Sequence, residues 1–387
     1  MSVDINIRKN KYNLNLNDLI VMGKRINNEK RNFLFISKVL GKHIEAKPSV
    51  CKEIGCKLAG LIFNKEEKGE SYKNNEKICV LGFAETATGL GMAVASYIQN
   101  SYYLTTTRED IKEIKSILKF EEEHSHATTH KCFPLDKDKL INSEKIILVD
   151  DEITTGKSMI NIIKELKEVT NAKKFIIVSI LDWRNEEHRK VYDDLVNKEN
   201  INVEVLSLIS GDIKIKDTTT YMDNNDNVIN DTTDVLNYNA LDRIDLKTNY
   251  EKEVESYLLH TGRFGVDFNE IQALESKCKD IANRLEDFIG SNKKILVLGH
   301  GENIYIPCRI ASYIKGDVYF KSTTRSPIYC DDVDGYPIKE KHVFYHKGIK
   351  YYFYNKSEIE KKYDKVILIT EDDLNIKLTN NMIAVRV

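Results

Sequence analysis

The sequence predicts an α/β protein of two tandem, Rossmann-like parallel-sheet units, the second a degenerate copy of the first. Three observations carry that expectation. Short runs of apolar β-formers, such as Ile78–Leu81 and Ile146–Val149, each end in a polar or glycine turn and pass into a helical pattern. That is the order expected of strands buried on both faces of a parallel sheet. The two halves also repeat motifs at equal spacing. Finally, 387 residues suffice for two or three domains with sizeable cores.

In chain order, residues 1–20 read as a loose arm. Lys24, Arg25, Lys30 and Arg31 bracket a strand at Phe33–Ser37, a basic cluster that suits either a phosphate or a solvated face. Gly41-Lys42-His43 follows, and Pro48 opens a helix that runs through Phe63. The strand Ile78–Leu81 enters Gly82-Phe83-Ala84-Glu85-Thr86, a turn whose backbone amides can approach an anion. A dinucleotide fingerprint at Gly89-Leu90-Gly91 fails, because position 94 is Val94. The next strand, Tyr102–Thr107, ends at Arg108, placed either to grip an anion bidentately or to make a surface ion pair. Glu123, His124, His126, His130 and Cys132 crowd one short segment. It reads as a metal site, as a mobile loop supplying proton-transfer groups, or as an inert polar loop.

The stretch Ile146–Ser158 is the one around which the chain is organised. A buried strand meets Asp150, Asp151 and Glu152, then Thr154-Thr155-Gly156-Lys157-Ser158, then helical spacing at Ile160, Ile163 and Leu166. Carboxylates at a parallel strand's carboxyl end sit where such sheets bind ligands, and a helix N-terminus cradles phosphate. Two carboxylates beside a phosphate cradle suit a ribose 5-phosphate. A nucleotide P-loop would need glycine five positions before Gly156, and Asp151 stands there. Further strands are expected at Phe175–Leu181 and Val203–Leu208, with Trp183-Arg184 covering a flat base or packing in the core. Residues 211–247, rich in Asp, Asn and Thr, read as a linker with room for a hairpin between units at 20–210 and 248–387.

The second unit echoes the first. Lys294–Gly299 followed by His300-Gly301-Glu302 matches Ile78–Gly82 followed by Phe83-Ala84-Glu85. Ser-Tyr-Ile recurs at 96–98 and 312–314, and Thr-Thr-Arg at 106–108 and 323–325. The separation of Gly82 from Arg108 equals that of Gly299 from Arg325. Lys365–Ile369 echoes Lys145–Val149, but Thr370-Glu371-Asp372-Asp373 follows and no Thr-Thr-Gly comes after it. An internal duplication that lost its phosphate cradle is expected. Arg263, in the polar turn His260–Gly265, joins Glu302 and Arg325 as a candidate of this half.

Composition narrows the class. Hydrophobic residues make up 41% and charged residues 30%, with a net charge of −2, so the reading is a soluble globular protein without a dominant nucleic-acid surface. No apolar run is long enough to cross a membrane, and Met1–Leu14 has no apolar signal core. The seven cysteines are scattered and form no CxxC pair, which suits a reducing cytoplasm.

The stretch Ile146–Ser158 resembles the PRPP-binding motif of type I phosphoribosyltransferases, PRPP being 5-phosphoribosyl 1-diphosphate. Thr324-Arg325-Ser326-Pro327 matches the motif that names the TRSP domain. Together the halves resemble orotate-phosphoribosyltransferase-like proteins fused to that domain, encoded beside bacterial tellurite-resistance and stress genes. The resemblance implies two tandem phosphoribosyltransferase-like domains, the second degenerate. It implies a Mg²⁺-dependent transfer of phosphoribosyl from PRPP to a base-like heterocycle, making a nucleotide-like compound. Asp150 and Asp151 would hold ribose and, partly through PRPP, Mg²⁺. Thr154, Thr155, Gly156, Lys157 and Ser158 would hold the 5-phosphate. Gly82, Phe83, Ala84, Glu85 and Thr86, with Arg108, would hold pyrophosphate. Residues 121–131 would form the closing loop, with Glu123, His124 and His126 as acid or base groups. A PRPP-binding regulator and a nucleoside-forming or nucleoside-cleaving enzyme are the rival readings. The expected partners are small molecules, in a homodimer or an intramolecular pseudo-dimer.

Overall fold

The computed structural model describes residues 3–28, 31–65, 69–121, 129–216, 219–223, 228–230, 238–240, 254, 257–290, 294–374 and 376–387. Two parallel-rich sheets organise it. In the larger, the parallel strands run in the order Asn202–Ile215, Lys174–Asp182, Lys145–Ile153, Ile78–Gly82, Ser101–Thr105. Numbered by sequence from the Ser101–Thr105 edge, that order is 2-1-3-4-5, so the chain reverses direction across the sheet between Ile78–Gly82 and Lys145–Ile153. A crevice opens at such a switch point, beyond the carboxyl ends of the strands. The apolar runs behave as expected of strands covered on both faces, with every residue of Ile78–Gly82 buried.

The smaller sheet is wholly parallel, in the order Tyr238–Ala240, Met382–Arg386, Lys365–Thr370, Lys294–Gly299, Asp317–Ser322. Its last four strands repeat the order of their counterparts in the larger sheet. A hairpin of Lys341–His346 and Ile349–Tyr354, joined by Lys347 and Gly348 at positive φ, extends this half.

Helices cover the sheets for local reasons. Pro48–Phe63 has proline in its first turn and ends at left-handed Asn64, as the sequence predicts. Phe268–Ile289 starts with a full capping box between Asp267 and Glu270. The largest apolar cluster is continuous across both halves, from Leu90 and Ile176 through Leu274 and Ile306 to Ile367. A buried polar knot ties the same helices. Arg309 grips Glu275 at 2.8 Å, and Lys52 lies 3.2 Å from it. Burial alone would raise the Glu275 carboxyl, but Arg309 and Lys52 hold it down at about 2.

Three expectations change. The arm 1–20 carries the strand Val3–Asn10, paired antiparallel with Asn202–Ile215 at the edge of the larger sheet. Only one face of it meets the core, so its apolar residues are few and alternate. Within the expected linker, Gly211–Ile215 completes a long strand, and Val228–Asn230 and Tyr238–Ala240 each add a parallel strand to the second half. Val266–Asp267, inside the expected second unit, pairs with Ser101–Thr105 in the first sheet. The halves therefore interlock in sequence as well as in space.

Candidate functional site

The strand Lys145–Ile153 carries Asp150 and Asp151 to the mouth of the crevice, where both stay half-buried. Gly156 then takes φ +77° and starts the helix Lys157–Val169. Tyr192 donates its hydroxyl to the Gly156 carbonyl at 2.7 Å, and a Cβ at 156 would stand 2.3 Å from that hydroxyl. The turn thus needs glycine twice, for its φ and for its packing. Thr154, Thr155 and Ser158 are half-buried and Lys157 is exposed around the start of the helix. That is a hydroxyl-rich helix N-terminus open to solvent, the geometry of an anion cradle. Glu152 has a different task. Arg31, stacked 4.7 Å over the Phe33 ring, binds its carboxylate at 2.6 Å and ties the hairpin of Ile20–Lys24 and Phe33–Ser37 to the crevice. Burial pushes the Glu152 carboxyl up against that pairing.

The turn Gly82–Thr86 lies beside the acids, because Ile78–Gly82 pairs with Lys145–Ile153 and Phe83 N donates to Val149 O at 3.2 Å. Ala84 N donates to Thr106 Oγ1 at 2.9 Å, and Thr106 N to Gly82 O at 2.9 Å. His130 continues the chain of contacts. Its Nδ1 lies 2.9 Å from Thr106 Oγ1, and Arg108 Nε donates to its Nε2 at 3.2 Å. A guanidinium can only donate, so Nε2 accepts and the ring proton sits on Nδ1 facing Thr106. The sequence marks His130 as a zinc candidate; here it is a buried spacer that aims Arg108. Cys132 lies in the apolar core, and burial pushes its thiol up. Among the described residues no three His, Cys, Asp or Glu side chains form a metal-holding group. Glu123, His124 and His126 lie outside the described residues.

Glu85 turns its carboxylate towards the second half. It accepts from Thr324 Oγ1 at 2.7 Å and from Arg325 N at 3.3 Å. Lys42 stands 3.4 Å from the same carboxylate and donates to Thr86 Oγ1 at 2.9 Å. Lys42 is a buried cation at the turn that sequence reasoning passed over, although a Gly-Lys pair just after a strand was a signal. Burial, then the charges of Lys42 and Lys321, keep neighbouring His43 well below its usual range.

The second half's candidates gather on the other side of the same boundary. Glu302 accepts from Thr107 Oγ1 at 2.5 Å and Arg108 N at 2.9 Å. Burial and the Glu109 charge raise its carboxyl to about 6. Arg263, fully buried, reaches Glu371 at 2.7 Å, Glu302 at 3.7 Å and Glu109 at 3.9 Å. Trp183 is core: it packs 5.6 Å from Phe35. Arg184 is spent on Asp182.

The carboxyl end of the sheet thus brings together the carboxylates of Asp150 and Asp151, a hydroxyl-rich helix start and the turn Gly82–Thr86. Asp150 and Asp151 are the oxygen donors that suit Mg²⁺, which commonly takes one or two carboxylates and fills its shell with substrate oxygens and water.

The chain matches the family model described as "Phosphoribosyl transferase" (PRTase_2) over residues 19–212. It matches "TRSP domain C terminus to PRTase_2" over residues 260–385. No curated protein matches it. Among solved structures it is similar to the adenine phosphoribosyltransferase of Trypanosoma brucei, at 15% identity and TM-score 0.29, covering 41% of this chain and 65% of that one. It is similar to the Saccharomyces cerevisiae adenine phosphoribosyltransferase at 12% and 0.30, covering 50% and 96%. It is also similar to the orotate phosphoribosyltransferase of Mycobacterium tuberculosis H37Rv at 11% and 0.28, covering 48% and 87%.

Proposed function

The chain belongs to the PRTase_2 phosphoribosyl transferase family, and from that premise we propose that it transfers the 5-phosphoribosyl group of PRPP to a nitrogen heterocycle and releases pyrophosphate. One juxtaposition carries the reading: the open helix start after Gly156, the half-buried pair Asp150 and Asp151, and the turn Gly82–Thr86 meet at one sheet crevice.

In this mechanism the bond from ribose C1 to the pyrophosphate oxygen breaks, and its electron pair leaves with pyrophosphate. The acceptor nitrogen adds to C1 and gives up its proton to a base. Thr154, Thr155, Gly156, Lys157 and Ser158 hold the 5-phosphate through hydroxyls and helix N–H groups. Asp150 and Asp151 hold the ribose hydroxyls and stabilise the positive charge that grows on the sugar. The amides of Glu85 and Thr86, with Lys42 and Arg108 nearby, receive the leaving pyrophosphate, while those of Phe83 and Ala84 hold the turn in place. Glu123, His124 and His126 are the proposed proton carriers of a loop that excludes water. Bound at Asp150 and Asp151, Mg²⁺ would neutralise phosphate charge.

We place the reaction in the cytoplasm, in making a nucleotide-like compound for the tellurite and stress response. The support is the family resemblance and the absence, among the described residues, of any helix able to cross a membrane. The units 20–210 and 248–387 would then be a transferase domain and its degenerate repeat, forming an intramolecular pseudo-dimer. The test is product analysis after incubation with PRPP, Mg²⁺ and a panel of nitrogen heterocycles. Pyrophosphate together with a new N-ribosyl monophosphate is expected. A ribosylated product without phosphate would point to nucleoside chemistry. PRPP binding with no turnover of any heterocycle would point to a regulator.

A further inference from the structure

Two glutamates cross the boundary between the halves in the same way. Glu85 takes the Thr324 hydroxyl and the Arg325 amide; Glu302 takes the Thr107 hydroxyl and the Arg108 amide. Each glutamate stands three residues after a strand-ending glycine, Gly82 or Gly299. Each partner pair is the Thr-Arg of a Thr-Thr-Arg in the opposite half. Each of those threonine hydroxyls also accepts an N–H from two residues on, Glu109 N and Ser326 N, both at 3.0 Å. Both glutamates are about as buried as side chains become, 3% and 4% exposed. A buried carboxylate persists where its hydrogen bonds are made, so both crossings are specific contacts rather than incidental ones.

The Glu302 crossing ends in the transferase site. From Glu302 the contacts run to the Arg108 amide, from Arg108 Nε to His130 Nε2, from His130 Nδ1 to Thr106 Oγ1, and from Ala84 N to Thr106 Oγ1 within the turn Gly82–Thr86. Thr88 adds a second strut, donating its hydroxyl to the Glu302 carbonyl at 2.9 Å. The backbone that carries Arg108 is therefore fixed by a carboxylate of the other half.

We propose that Glu302 is a positioning residue for pyrophosphate recognition: the second half acts as a built-in second subunit, holding Thr107–Arg108 so that Arg108 faces the pyrophosphate turn of the first. This rests on the phosphoribosyltransferase reading of the crevice. It gives the second half a task without a reaction of its own. That half keeps the glutamate turn and lacks the phosphate cradle because the crossing needs only the turn.

The test compares inorganic pyrophosphate with Mg²⁺ and, separately, ribose 5-phosphate, titrated by calorimetry into the full-length wild type, Glu302→Ala and Glu302→Gln. Glu302→Ala should weaken pyrophosphate binding by about tenfold or more, the factor a hydrogen bond to a charged group carries. Ribose 5-phosphate, held by the Gly156 cradle and the two aspartates, should bind unchanged. Glu302→Gln keeps an acceptor in place and should restore most of the loss. Thr107→Val, which removes the hydroxyl arm and the acceptor of Glu109 N but leaves Arg108 N on Glu302, should move pyrophosphate binding in the same direction by less, and it serves if Glu302→Ala fails to fold. Unchanged pyrophosphate binding in folded Glu302→Ala or Thr107→Val overturns the proposal while the transferase reading stands. Equal weakening of both ligands also overturns it, by showing a merely structural role. A wild type that binds neither ligand removes the transferase reading itself.

Discussion

The carboxyl ends of Lys145–Ile153 and Lys365–Thr370 occupy equivalent places in two sheets of the same strand order, and they have opposite chemistry. In the first, Asp150 and Asp151 stand half-buried before a glycine turn and a helix. In the second, Glu371 is bound by Arg263 and by Leu258 N, and Asp372 by His346 and Lys347. Burial would raise Asp372, yet His346 and Lys347 hold it well below the usual carboxylate range. Among the described residues no helix follows Lys365–Thr370. The same scaffold thus leaves its strand-end acids half-buried before a helix start in one half and ties them into ion pairs in the other. What decides is the dozen residues after the strand, not the strand.

The largest effect is expected at Arg263. Arg263→Ala leaves Glu302, Glu371 and Glu109 facing one another without their cation and should cost about 3–5 kcal/mol of stability, read from urea unfolding. Gly156→Ala attacks the other half. A side chain at φ +77°, 2.3 Å from the Tyr192 hydroxyl, should cost about 1–3 kcal/mol and abolish PRPP binding measured by calorimetry. A pH series sharpens the boundary between the halves. Glu302 is raised from an ordinary 4.5 to about 6, so the folded protein holds its proton longer than the unfolded chain. Its stabilising contribution is complete below pH 4.5 and is lost as pH rises through about 6. The stability of Glu302→Gln, followed by thermal melts, should therefore fall less than that of wild type between these pH values. The smallest effect belongs to Asp151→Asn, which should change stability by no more than about 0.5 kcal/mol, as expected of a half-buried acid at a strand end.

Much of this was legible in the sequence where one face or both faces of an element are apolar. Ile78–Leu81 and Ile146–Val149 announce themselves as unbroken apolar runs, and Pro48 and Asn64 bound a helix at the expected residues. Val3–Asn10 was hidden because an edge strand shows the core only every second residue. The acids and the Thr-Thr-Gly turn could be placed together because they follow one another at the end of a strand and the start of a helix. The direction of the Glu85 side chain could not. Its partners, Thr324 and Arg325, lie in the other half, and only the equal spacing of the two Thr-Thr-Arg segments hinted that the halves face each other. His130 misled for a similar reason: a histidine near a cysteine suggests metal until its two ring nitrogens are found on Thr106 and Arg108.

Everything proposed for the first half depends on PRPP binding at Asp150, Asp151 and Gly156. The direct measurement is calorimetric titration of PRPP with Mg²⁺ into wild type and into Asp150→Asn/Asp151→Asn. Tight binding to the wild type is expected, with its loss in a variant that melts at the wild-type temperature. Equal binding by the two proteins, or no binding to folded wild type, would contradict it.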